Sequence, residues 1–197
     1  MKKHEINKDL VNWTEVMSAS RCAGGHVEVM ESIFEGKAKV CASWIEGDYQ
    51  GDEAFAYLFP DGTVAIMTDS FGSCSGCDSW EDANDDDVRL MVESLVNSAR
   101  VFHDVAEAYF FCLKNTDDAD QYLMRSASNL VKEGLEHEFK VWLIAGGQLD
   151  DFISKYGWAE LEKIADEHDD VAKLLADPDI MQKRKEDHAS RMERDQE

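Results

Sequence analysis

Cys74 and Cys77 form the one spacing in this chain that by itself specifies a chemistry, a Cys-x-x-Cys held in the glycine-bearing run Gly72-Ser73-Cys74-Ser75-Gly76-Cys77. Two thiolates at that separation bind a single zinc ion when a tight loop turns both sulfurs inward, or close a redox disulfide. Redox work needs a lowered thiol pKa, and the neighbours Asp78, Glu81 and Asp82 push the other way. The proline that usually packs against a thioredoxin-type motif is also wanting, because Pro178 is the only one downstream. Acidic surroundings instead favour a cation. A complete zinc site needs two more ligands, and the candidates are Cys22 and His26, separated by three residues, and Cys41. The expected set is therefore Cys3His, from Cys22 or Cys41 with His26, Cys74 and Cys77. The plain alternative treats the cysteines as small apolar residues in a tight loop, with no cofactor.

The second chemistry is that of carboxylates. The 197 residues hold 42 Asp and Glu against 20 Lys and Arg, a net charge of −22. Residues 1–45 are balanced, whereas residues 46–120 carry 18 acids and only Arg89, Arg100 and Lys114. Such a surface excludes direct nucleic-acid binding by phosphate neutralisation and docking on an anionic membrane. It suits instead a basic protein surface, where complementary potential supplies steering and fast association. Small acidic proteins that look like DNA mimics, phage inhibitors of bacterial defence among them, occupy the basic grooves of nucleic-acid-binding proteins in this way. The expected contacts are Asp82, Asp85, Asp86 and Asp87, with Asp48, Asp52 and Glu53 second. A calcium loop on Asp82, Asn84, Asp86 and Glu93 is broken by Asp87 at its glycine position and Arg89 at its apolar one. Helix capping accounts for the same aspartates.

Histidine offers less. His103 and Glu107 share a helical face at i,i+4, beside an apolar stripe, and His137 and His168 each lie between acids. There is no GxSxG, HExxH, phosphate loop or dinucleotide fingerprint, so an enzyme here would be one without a recognisable motif.

The elements that position these groups follow from periodicity. Leu10, Trp13, Val16 and Met17 predict a helix up to the break at Gly24-Gly25, and residues 26–34 fit either a strand or a short helix. Lys37 to Ile45 reads as a strand. Residues 54–59 and 63–68, rich in aromatic and β-branched side chains, flank Pro60-Asp61-Gly62 and predict a hairpin. Val88, Met91, Val92, Leu95, Val96, Ala99 and Phe102 form a stripe that predicts one long helix continuing through Val105, Tyr109 and Leu113. Shorter helices follow over 149–156 and 161–168, divided near Gly157. The expected fold is α+β, a small antiparallel sheet in the N-terminal half packed with a mainly helical C-terminal half. It is expected to form one domain over 1–178, with 179–197 a charged helical or disordered tail.

Asp48-Tyr49-Gln50-Gly51-Asp52, the hairpin and Asp69-Ser70-Phe71-Gly72-Ser73-Cys74-Ser75-Gly76-Cys77-Asp78 together resemble a pattern in uncharacterised bacterial and phage-encoded proteins. That resemblance implies no activity and no site residues. The polar N-terminus and the odd count of five cysteines without a disulfide framework predict a reduced, cytoplasmic protein.

Overall fold

A computed structural model describes residues 6–21, 26–47, 51–72, 80, 83–114, 129–144 and 148–167, and in the final stretch 172–173, 175–178, 180–182 and 186. The chain is α+β, with a four-stranded antiparallel sheet in its N-terminal half and helices dominating afterwards. Contacts divide it into two compact units, Met1–Phe139 and Lys140–Glu197.

The first unit opens with a 3-10 turn at Lys8–Leu10 and helix α1, Trp13–Ala19, capped by Asn12, whose side chain accepts from the Glu15 N–H. Helix α2, His26–Ser32, resolves the ambiguity over 26–34 in favour of a helix that buries Val29 and Met30, with Ile33 and Phe34 buried in the turn after it. Strands β1 (Lys39–Glu46), β2 (Gly51–Leu58) and β3 (Val64–Phe71) then run as a meander. The hairpin pairs Leu58 with Val64, Phe55 with Met67 and Glu53 with Asp69. Its turn uses the expected chemistry: Asp61 accepts from the Thr63 N–H at 3.0 Å, and Gly62 takes φ +88°.

Helix α3, Asp85–Ser98, starts at a reciprocal cap in which the Asn84 side chain accepts from the Asp86 and Asp87 N–H groups and Asp87 reaches back to the Asn84 N–H. The apolar stripe then departs from expectation. The chain extends at Ala99, and Arg100–Phe102 forms β4, paired with Val64–Ile66 of β3. A new helix, α4, Val105–Lys114, follows. The single helix expected across this stretch is two, because ladder bonds to an open sheet edge outweigh the continuation of helical spacing. Asp104 caps α4 by accepting from the Glu107 N–H at 2.7 Å, while Glu107 accepts from the His103 N–H at 3.0 Å. His103 and Glu107 therefore bracket a helix start rather than share a helical face.

Central strand β2 is covered on both sides. Phe55 and Tyr57, with Ala65 and Met67 of β3, pack into one core with Val29, Met30 and Phe34 and with Val88, Val92, Leu95 and Val96 of α3. On the other face Ala42, Ala54, Ala56, Val64 and Ile66 are buried too, where α4 contacts β3 and a π-helical turn, Val131–Leu135, contacts β1. That turn comes very close. Gly134, at φ +154°, would place a β-carbon 2.3 Å from the Cys41 carbonyl oxygen, beside the register shift between Val40 and Ala42. Helix α5, Glu136–Ile144, follows directly.

In the second unit α6, Gln148–Tyr156, ends at Gly157, whose φ of +83° suits the left-handed stop, and α7 covers Trp158–Glu167. Phe152, Ile153 and Leu161 are buried there. Among the described residues no helix is long and apolar enough to cross a membrane.

Two substitutions test this packing. Gly134→Ala should lower the unfolding free energy by at least about 1 kcal/mol, from an incompatible φ and a steric clash, seen as a lower urea midpoint at unchanged slope. Tyr57→Phe removes the bond donated by the Tyr57 hydroxyl to the Met30 carbonyl at 2.6 Å, and should cost about 1–2 kcal/mol by the same measurement.

Candidate functional site

Strand alternation puts Glu53 on the same face of β2 as Phe55 and Tyr57, inside the core rather than in solvent. Its relative exposure is 0%, which overturns its expected place among the surface contacts. A buried carboxylate needs a partner, and α2 supplies one: Glu53 Oε2 lies 3.0 Å from His26 Nδ1. The His26 ring stacks on Phe71 with centroids 4.3 Å apart and planes 17° from parallel. Glu53 Oε1 is buried with no hydrogen-bond partner.

A second carboxylate sits across the strand pair. Asp69, opposite Glu53 in the register, accepts from the Trp80 indole N–H at 3.2 Å and from the Ser70 N–H at 2.9 Å. Burial pushes the Glu53 carboxyl up to about 7, against the opposing hydrogen bond and charge of His26, with Asp69 and Glu28 adding to the rise. Burial likewise raises Asp69, opposed by its bonds from Ser70 and Trp80. Tyr57, in the same row as Glu53, is raised well above the usual phenol range by burial and then by the charges of Glu53 and Glu31. Four side chains from α2, β2, β3 and the chain before α3 thus form one polar seam: His26, Glu53, Asp69 and Trp80. The sequence reading missed Asp69 and Trp80, and the signal available for them was the hairpin register, which places Asp69 beside Glu53.

Helix α2 faces two ways. Opposite its buried Val29 and Met30, Glu28 and Glu31 are exposed, as is Glu35 in the following turn. With Glu15 of α1 they line an open groove of about 470 Å³, completed by Ser18, Ala19 and Ser32. No base lines this groove, and none of the four glutamates has an ion-pair partner among the described residues.

The other expected contacts fare differently. Asp85, Asp86 and Asp87 are exposed at the start of α3. Asp85 is paired with Arg21, whose Nη2 lies 3.2 Å from both carboxylate oxygens, and Asp87 is used in the helix cap. Asp52 is half-buried and accepts from the Ser70 hydroxyl at 2.7 Å. Asp48 and Asp82 lie outside the described residues, as do Cys22, Cys74 and Cys77. Cys41 is described, and it does not meet His26. It lies four residues along β1 from Ile45, the partner of Glu53, a separation of about 13 Å at strand rise. Its charged neighbours are Glu138 and Lys39. Among the described residues no three His, Cys, Asp or Glu side chains converge as a metal site.

No protein-family model, curated protein or solved structure matches this chain.

The thiols give a direct check. Burial pushes Cys41 up to about 12, with Glu138 adding, and burial pushes Cys112 up to about 12 as well. Both should remain thiols at pH 8 and resist iodoacetamide in the folded protein, then label within minutes in denaturant. Peptide mapping that finds either one modified quickly in the native protein contradicts the described burial.

Proposed function

We propose that the protein is an acidic interaction protein that binds a basic surface on a partner protein. The observation that carries this reading is the groove between α1 and α2, where Glu15, Glu28, Glu31 and Glu35 converge with no base among its lining residues. Helices α1 and α2 fix the backbone positions of Glu15, Glu28 and Glu31, so no backbone ordering is needed to present them to a partner. Each exposed pair with a partner arginine or lysine contributes about 0.2–1 kcal/mol. Several such pairs acting together give modest, salt-sensitive affinity and a fast on-rate. The net charge of −22 extends the attraction beyond the groove.

The start of α3 plays a smaller part than its three aspartates suggest, because Arg21 already neutralises Asp85 and the cap employs Asp87. In its sharper form the proposal makes the partner a nucleic-acid-binding protein, whose basic groove takes these carboxylates in place of phosphates. Duplex DNA then competes with this protein for the partner.

Two charge-matched variants separate the groove from the general field. With a fluorescent oligo-arginine peptide as probe, Glu28→Gln/Glu31→Gln should weaken binding about 5–30-fold at low salt, equivalent to about 1–2 kcal/mol. Asp86→Asn/Glu93→Gln removes the same charge from α3 and should weaken it less than about threefold. Equal losses in the two variants, or no loss in either, would overturn the groove as the binding surface.

A further inference from the structure

Glu53 is a titratable group that the acidic groove does not use, and it sits where a single proton matters. It has no exposed surface. Its Oε2 lies 3.0 Å from His26 Nδ1, and its Oε1 has no hydrogen-bond partner among the described residues. An ionised carboxylate in that setting carries a charge that water does not reach and an acceptor that nothing satisfies. A protonated one is neutral and still bonds the imidazole, its hydroxyl donating to Nδ1 of a neutral His26. The geometry by itself favours the protonated carboxyl.

The surroundings add to that bias. Among the described residues, β3 presents Asp69 directly opposite Glu53, and α2 presents His26 and Glu28. The same strand adds Tyr57, which Glu31 also faces, while the β1 partner of Glu53 is the uncharged Ile45. Of these groups only His26 can carry a compensating positive charge, and its ring is held flat against Phe71. Burial accordingly raises the Glu53 carboxyl from 4.5 to about 7, with Asp69 and Glu28 adding and His26 opposing. The contact also sits at a point of leverage. His26 is the first residue of α2, a helix of seven residues, and a helix that short depends on tertiary contacts to persist. Its other polar tie to the sheet, from the Tyr57 hydroxyl to the Met30 carbonyl, lies a full turn further on.

We propose that the His26–Glu53 contact is a proton-operated clip, which holds the start of α2 on the sheet while Glu53 is protonated and loosens it when Glu53 ionises. Opening α2 gives the carboxylate access to water, so the open form accepts the charge that the closed form resists. A carboxyl that titrates higher in the closed form than in the open one stabilises closure fully below about 4.5, and that contribution is lost as pH rises through about 7. From pH 6 to pH 8 the opening equilibrium of α2 should therefore rise about tenfold. The clip stands whether or not the acidic groove binds a partner.

Amide hydrogen exchange of the full chain tests this, in buffer containing a chelator and with each rate divided by its intrinsic value at that pH. Peptides covering α2 should lose about tenfold in protection between pH 6 and pH 8, while those covering α3 change less than about twofold. Glu53→Gln keeps the shape of the side chain and is uncharged at both pH values, so its α2 protection should stay level. No loss in the wild type, an equal loss in α2 and α3, or an equal loss in the wild type and Glu53→Gln overturns the clip. If Glu53→Gln does not fold, Asp69→Asn takes its place. Removing the charge opposite Glu53 should move the midpoint of the α2 transition to lower pH, and an unmoved midpoint overturns the proposal.

Discussion

The burial of Glu53 against His26 is the constraint around which the first unit is arranged. A carboxylate with no exposed surface on a central strand is a large liability unless a hydrogen-bond donor reaches it. That donor comes from the first residue of α2, so the strand and the helix specify each other's position. Tyr57, four residues further along β2 on the same face, adds a second tie by donating to the Met30 carbonyl. Between these two polar contacts the apolar residues of α2 have one way to sit on the sheet.

The orientation that satisfies Glu53 also decides what the protein shows to solvent. With His26, Val29 and Met30 turned inward, Glu28 and Glu31 point outward, beside Glu15 of α1. A cluster of four glutamates with no ion-pair partner among the described residues thus arises in the segment that is electrically balanced by count. The central stretch, far more acidic overall, spends several of its carboxylates internally: Glu53 in the core, Asp69 on Trp80, Asp87 in a cap and Asp85 on Arg21. Net charge along a sequence and potential on a surface are different quantities, and this chain separates them clearly.

Two features were legible and still missed. Asp104-Val105-Ala106-Glu107 has the spacing of a capping box, which marks a helix start and argues against one uninterrupted helix from Val88 to Leu113. Glu53 alternates with Phe55 and Tyr57, so strand periodicity alone placed it on the core face. In both cases a longer-range pattern, an apolar stripe in one and an acidic run in the other, masked a short local signal. The strand β4 had no comparable signal. Three residues form a strand here because β3 offers an unpaired edge, and an edge exists only once the sheet does.

The amino-acid sequence alone determined the α+β class, the hairpin at Pro60-Asp61-Gly62, the aspartate-rich start of α3 and the overall negative charge, because each depends on a residue and its nearest neighbours. Tertiary structure decided which acids are buried, which are paired and which line a groove, and it chose Glu53 as the partner of His26. Those outcomes depend on what covers each face of the sheet. Desolvation is a property of the assembled surroundings, and residues separated by 27 positions meet only when the chain has folded.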